Sequence, residues 1–225
     1  VFLNSRALGA DLADFVDAAA RQGVKRLVAL SAINADDDFS RQPSRARGDR
    51  NREVEQLAIA SGLEWISLRP TVFVSNFAGM WAAQILAGDL VVGPAARAAM
   101  APIEDGDIAA VAAVALLTDD LVGRRVELTG PQSLTNIELV EIIGEVLNRQ
   151  LRYHEVSASA VRSRFAEMGF PSSFADAYIE MLAAAEQRPA RVTGEVAEAI
   201  GRPPTTFSDA IRTRRDLFTK NEGKR

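Results

Sequence analysis

Short apolar runs alternate with helical stripes through the first ninety residues, and this alternation limits the possible folds more than any other feature of the chain. Val1-Phe2-Leu3 is an apolar run leading into Asn4-Ser5. Leu12, Phe15, Val16 and Ala19 follow at a spacing that puts them on one helix face, and Gly23 stands where that helix stops. Arg26–Ser31 is nearly continuous in apolar residues, the pattern of a strand covered on both faces. Residues 32–50 are rich in Asp and Arg, are broken by Pro43 and Gly48, and read as a long loop. A second stripe, Val54, Leu57 and Ala58, ends at Gly62; Trp65–Arg69 is a third strand, closed by Pro70; Phe77–Ala87 is a third helix, ended by Gly88. Strands over 1–4, 26–31 and 65–69, joined by helices over 11–22, 50–61 and 77–87, are therefore expected side by side in a parallel sheet. Connections of about 20–35 residues suit βαβ crossovers and not hairpins.

After Leu90-Val91-Val92 the pattern changes. Asp107 is expected to cap an apolar helix, Ile108–Leu117, and Arg125–Thr129 to form a strand ended by Gly130-Pro131. Thr135-x-x-Glu138 is a capping box ahead of a helix with the inner stripe Leu139, Ile142, Ile143, Val146 and Leu147. Leu151–Val156 reads as a further strand, with Ser157 and Thr206 capping later helices. The expected organisation is an α/β domain over 1–130, a smaller, mostly helical lobe over 131–219, and a flexible polar tail over 220–225.

Composition excludes several chemistries. No cysteine is present among the 225 residues, which removes disulfides, thiolate metal sites and cysteine nucleophiles. A single histidine, His154, cannot build a His-His metal site. Net charge is −4, so no electrostatic case exists for a nucleic-acid or anionic-membrane partner. The longest apolar run, Ile108–Leu117, falls far short of the roughly 20 residues a membrane helix needs. No signal peptide is visible, and a cytoplasmic location is expected. The fifteen glycines lie no closer than five apart, so neither G-x-G nor G-x-S-x-G occurs, and Gly88 and Gly93 precede Pro94 where a P-loop needs Lys.

In an open parallel sheet, ligands sit beyond the carboxyl ends of the strands, here the segments 4–9, 31–48 and 70–77. Their ionisable groups near the strand ends are Arg6, Asp36, Asp37, Asp38 and Arg69. The three aspartates read as solvated loop, Ser31 as either a ligand contact or a strand-end hydroxyl bonded to backbone, and Asn76 as either a ligand contact or a helix cap. Trp65 reads as core, whereas Trp81 faces either core or cleft. His154 falls outside the strand-end loops, and the arginines between 41 and 52 read as a solvated helix start interleaved with Asp49, Glu53 and Glu55.

Residues 17–32, D-A-A-A-R-Q-G-V-K-R-L-V-A-L-S-A, resemble the helix and strand of the NmrA-like family of atypical short-chain dehydrogenase/reductases. Glu55 through Leu57, Ser61-Gly62-Leu63-Glu64-Trp65 and Leu68-Arg69-Pro70-Thr71-Val72-Phe73-Val74-Ser75-Asn76 are similar to its E-x-x-L…S-G-L-x-W…L-R-P-x-x-F-x-x-N block. Ala101-Pro102-Ile103, Asp107-Ile108-Ala109 and Glu127-Leu128-Thr129-Gly130-Pro131 resemble its later landmarks. The resemblance implies a Rossmann-type domain that binds NADP or NAD, with a C-terminal lobe over the cleft. It also implies that the chain begins near the family's fourth strand, so that the first strands and the phosphate-binding glycine motif are expected to lie ahead of Val1. The cofactor contacts it carries over are Phe2, Leu3 and Asn4, Ser31 and Ala32, and Pro70, Thr71, Val72 and Phe73, with Asn76, Phe77 and Trp81 toward the substrate. Neither tyrosine fits the superfamily's Y-x-x-x-K pair, since Ser157 and Leu182 stand four residues after Tyr153 and Tyr178. Asn51 occupies the position, four before Glu55, where many members carry His or Lys. No catalytic residue is assigned. The implied function is an NAD(P)H-dependent oxidoreductase acting on a small hydrophobic carbonyl or quinone-like acceptor; the alternatives are a non-catalytic NAD(P)-dependent redox sensor and, weakened by the missing Tyr-Lys pair, a nucleotide-sugar epimerase relative.

Overall fold

The computed structural model describes residues 1–219; the tail expected over 220–225 lies outside the described residues. Strands β1 (Phe2–Asn4), β2 (Arg26–Leu30), β3 (Glu64–Pro70) and β6 (Arg125–Leu128) form one parallel sheet in the order β1-β2-β3-β6. The three segments expected as neighbouring parallel strands are neighbours in that order. Helices α1 (Ser5–Leu8), α2 (Leu12–Arg21) and α3 (Asn51–Ala60) lie in the first two crossovers. Gly23 and Gly62, both at φ +74°, take the left-handed conformation just beyond α2 and α3.

Both faces of the sheet are covered, which is why its strands read as continuous apolar runs. Leu27 and Ala29 of β2 pack with Leu12, Val16 and Ala19 of α2 and Val54 and Ala58 of α3. Val28, between them, faces the other way and packs with Ile108, Val111 and Ala115 of α5 (Asp105–Leu117) and Val196 of α9 (Glu195–Ile200). A third core forms around α4 (Val74–Ala87), where Phe77, Trp81 and Ile85 pack with α6 (Asn136–Leu147) and α10 (Phe207–Thr213). Two small pairings join this region: β4 (Leu90–Gly93) runs parallel to β8 (Arg152–Glu155), and β5 (Ala99–Met100) antiparallel to β7 (Leu134–Thr135). Helices α7 (Ala158–Glu167) and α8 (Ser172–Ala185) complete the chain order.

The capping box at Thr135 and Glu138 is present, and Ser157 and Thr206 cap α7 and α10. Two local expectations need correction. Helix α4 starts at Val74 and not at Phe77, because Val74 NH donates to Ile103 O and the chain turns there with no side-chain cap, leaving Asn76 inside the first turn. Asp107 does not cap α5. It lies within the first turn at 1% exposure, where its carboxylate accepts from Arg202 Nη2 (2.6 Å) and Thr205 NH (2.6 Å), pinning the returning C-terminal segment to α5. No described helix is long and apolar enough to cross a membrane.

Candidate functional site

The carboxyl ends of β1, β2, β3 and β6 open on one edge of the sheet, where a parallel sheet receives ligands. Beyond β3, the extended segment Thr71–Phe73 is half-buried and uncharged. Val72 packs against the α4–α6 core while Phe73 packs against the sheet–α5 core, so the segment straddles two cores. Its backbone is fixed on both sides. Thr71 NH donates to Leu128 O (2.9 Å), Ile103 NH to Val72 O (3.0 Å) and Val74 NH to Ile103 O (2.9 Å). Thr71 Oγ1 donates to Ala101 O, and Gly130 NH also donates to Ala101 O (3.1 Å). A Cβ on Gly130 would collide with the Pro102 carbonyl oxygen, so the two loops touch backbone to backbone. The L-R-P-T-V-F, A-P-I and L-T-G-P blocks, distant in sequence, thus form one knot behind the wall.

Ion pairs engage Glu55, Arg69, Asp36, Arg45 and Arg6 near this edge, while Arg41 and Arg47 make none among the described residues. Glu55, 3% exposed, accepts from Arg69 (2.7 and 2.9 Å), from Ser67 Oγ (2.6 Å) and from Arg125. Burial pushes its carboxyl up, but the hydrogen bonds from Arg69, Arg125 and Ser67 outweigh it and hold the group at about 2. The bonds to Glu55, with that to Asp36, raise the already high value of Arg69 and fix its charge. Asp36 is therefore an ion-pair partner, and Arg69 is a structural cation joining β3 to α3. The loop arginines are likewise engaged: Arg45 with Glu53, Arg6 with Asp49, and Arg50 and Arg52 with backbone carbonyls.

The strand-end polar groups form a second cluster. Asn4 Oδ1 accepts from Arg6 NH (3.0 Å) and Ala7 NH (3.2 Å), so it caps α1. Ser31, 3% exposed, donates from Oγ to Asn51 O (3.0 Å), the backbone-bonded alternative for that residue. Ser5 Oγ accepts from Arg50 NH (2.9 Å), and Asn51, 7% exposed, reaches Ser44 Oγ through its amide (3.5 Å). Asn4 thereby caps α1, whereas α3 and α4 begin without a side-chain cap. Leu3 is fully buried, Ala32 is half-buried, Pro70 is buried and Phe2 is exposed on the sheet margin.

Toward the substrate side the structure separates the expected residues. Asn76 is exposed on the first turn of α4. Phe77 and Trp81 are buried in the third core, Phe77 edge-on to Phe207 at 5.4 Å and Trp81 edge-on to Tyr153 at 6.1 Å. Tyr153 OH donates to Pro94 O (2.7 Å), and burial raises its pKa; burial also pushes Tyr178 up to about 12. His154 is exposed on β8, away from the strand ends. Sequence reasoning expected a mostly helical C-terminal lobe but not that α8 packs on the 3-10 turns Phe39–Arg41 and Pro43–Arg47 in the loop after β2. The available signal was Phe170, Phe174 and Tyr178 at i, i+4 spacing; their rings cluster around Phe165, which meets each of them edge-on, and the Arg47 guanidinium sits 5.4 Å from the Phe170 ring centroid.

A doubly covered parallel sheet with an open carboxyl edge is the Rossmann-type architecture. The sequence profile of the NmrA-like family matches residues 5–200, and the chain belongs to that family. It is 34% identical over 200 residues to the (4-alkanoyl-5-oxo-2,5-dihydrofuran-3-yl)methyl phosphate reductase of Streptomyces griseus, covering 85% of this chain and 67% of that protein. It is 30% identical over 207 residues to the NAD(P)H azoreductase of Xenophilus azovorans, covering 92% and 71%. The NADPH-dependent quinone oxidoreductase of Escherichia coli, solved with NADPH, shares the fold with a TM-score of 0.76 at 22% identity, over 91% of this chain and 71% of that one.

Proposed function

We propose that the chain is the nicotinamide-side part of an NAD(P)H-dependent oxidoreductase acting on a small hydrophobic carbonyl or quinone-like acceptor. One observation carries the reading: the uncharged, half-buried Thr71–Phe73 wall at the carboxyl edge of a parallel sheet, held rigidly between two cores. Its uncharged, largely apolar surface suits a flat, neutral ring. It does not suit phosphates, because it carries no cation and Arg69, at the end of the same strand, is paired with Glu55 and Asp36. When bound, the reduced nicotinamide supplies a hydride. The chain's residues then position and shield: Thr71, Val72 and Phe73 form the wall, Ser31-Ala32 and Asn4 border it, and exposed Asn76 orients the acceptor. This reading assigns no described side chain as proton donor. Asn51 carries an amide, the Tyr153 proton is held by Pro94 O, and His154 faces solvent on β8, so water delivers the proton. General acid catalysis typically contributes about 10²–10⁴-fold, so turnover without it is slow.

The test is consumption of NADPH and NADH, at millimolar concentration, against a panel of quinones and aldehydes. Slow turnover above the protein-free rate is expected, with His154→Ala and Tyr153→Phe within a few-fold of the parent. Cofactor-dependent chemical-shift changes at Thr71–Phe73 without turnover would favour a redox sensor. Neither turnover nor shifts would overturn both readings.

A further inference from the structure

A solvent-open hollow of about 430 Å³ lies between β5, β7 and the turn after α8, separate from the strand-end wall. Arg97, Ala99, Ser133, Thr135, Glu186 and Arg188 are among its lining residues. Arg97 and Arg188 are exposed, and neither makes an ion pair or side-chain hydrogen bond among the described residues, whereas neighbouring Arg191 is paired with Glu127. Each therefore keeps the planar fork of donors that matches an oxyanion. Ser133 Oγ accepts from Ala190 NH (2.8 Å), which leaves its own proton to donate. Thr135 is already engaged in the capping box with Glu138. The Glu186 carboxylate shares the rim, so the lining carries two positive charges and one negative, a net of +1.

We propose that this hollow binds the anionic group, a phosphate monoester or a carboxylate, of a small organic ligand. Arg97 and Arg188 grip the oxyanion and Ser133 donates to it. Glu186 disfavours polyanions, because each further negative charge brought near it is repelled. Two residues beyond Ala99, Ala101 O holds Thr71 in the wall, and Cα atoms two apart are within about 7 Å. A ligand anchored in the hollow can run along β5 toward the wall. Its use as a substrate subsite rests on the redox reading above; the anion site itself does not.

Calorimetric titrations of the chain with phenyl phosphate, benzoate, inorganic phosphate and benzyl alcohol test this, with thermal melts as the folding control. One of the two aromatic anions is expected to bind, and benzyl alcohol is not. Arg97→Gln and Arg188→Gln should each weaken that binding about tenfold, the loss of a charge-assisted hydrogen bond, while Glu186→Gln tightens it. The stronger of phenyl phosphate and benzoate identifies the anion. Absence of binding at millimolar ligand, or folded arginine variants that bind like the parent, would overturn the site. Inorganic phosphate binding as tightly as phenyl phosphate would overturn the organic ligand. Anion binding that needs both arginines, beside an unchanged KM for every reduced acceptor in the same variants, would retain the anion site and overturn the subsite.

Discussion

Glu55 and Arg69 show how a family motif can be structural while sitting beside a ligand edge. Both lie in blocks that resemble the NmrA-like pattern, and both are spent on each other. Glu55→Gln leaves Arg69 and Arg125 without the central carboxylate, and removing one partner of a buried pair costs about 3–5 kcal/mol. Urea unfolding at pH 7 should show a loss of that order. The pH dependence has a definite sign. The carboxyl is depressed in the folded state from 4.5 to about 2, so its contribution is complete above pH 4.5 and fades as pH falls toward 2. The gap between parent and variant should therefore close across that window, and a constant gap would count against the ion pair. Sequence alone could name Arg69 as ionisable and near a strand end; only the fold shows that its donors are taken by Glu55 of α3 and by Asp36.

At the scale of elements, the order of β1, β2 and β3 was readable because the strands are covered on both faces and α2 and α3 end at glycines. Capping boxes were readable for the same local reason: the interacting residues are three apart. Contacts made at long range were not. Asp107 looks like a cap until Arg202 and Thr205 arrive from the other end of the chain, and Trp81 looks equally suited to core or cleft until α6 and α10 close the core around it, with Phe77 buried there and not toward a substrate. Gly130 is a third case. Nothing local requires a glycine there, but the backbone of Pro102 lies where its side chain would be. Gly130→Ala must separate the two loops, and such overpacking costs about 1–3 kcal/mol. A lower thermal midpoint is expected, together with faster amide exchange at Ile103 and Val74, whose bonds depend on that seam. An unchanged midpoint would show that the loops part freely.

For the whole molecule, affinity for a dinucleotide is the sharpest expectation. Pyrophosphate in this architecture is bound at a helix start reached through glycines. No G-x-G occurs in the chain, and the start of α1 beyond β1 is capped by Asn4. The 225-residue chain should therefore bind NADPH with a dissociation constant well above the micromolar range, through its nicotinamide end. Calorimetry decides this, and a micromolar constant would mean that the phosphates find another home.

The knot behind the wall also has a history in time. Strands β1, β2 and β3 are consecutive, each pairing with the next, whereas β6 reaches β3 only after α4, β4, β5 and α5 have been made. Pairings between remote segments form late, because a long loop must close before any contact rewards it. Thr71 needs Leu128, 57 residues away on the last strand of the sheet, so the surface that faces the ligand is completed by a partner that joins last. During refolding the first half of the sheet can be protected while the wall is still open, and binding competence then marks the end of folding.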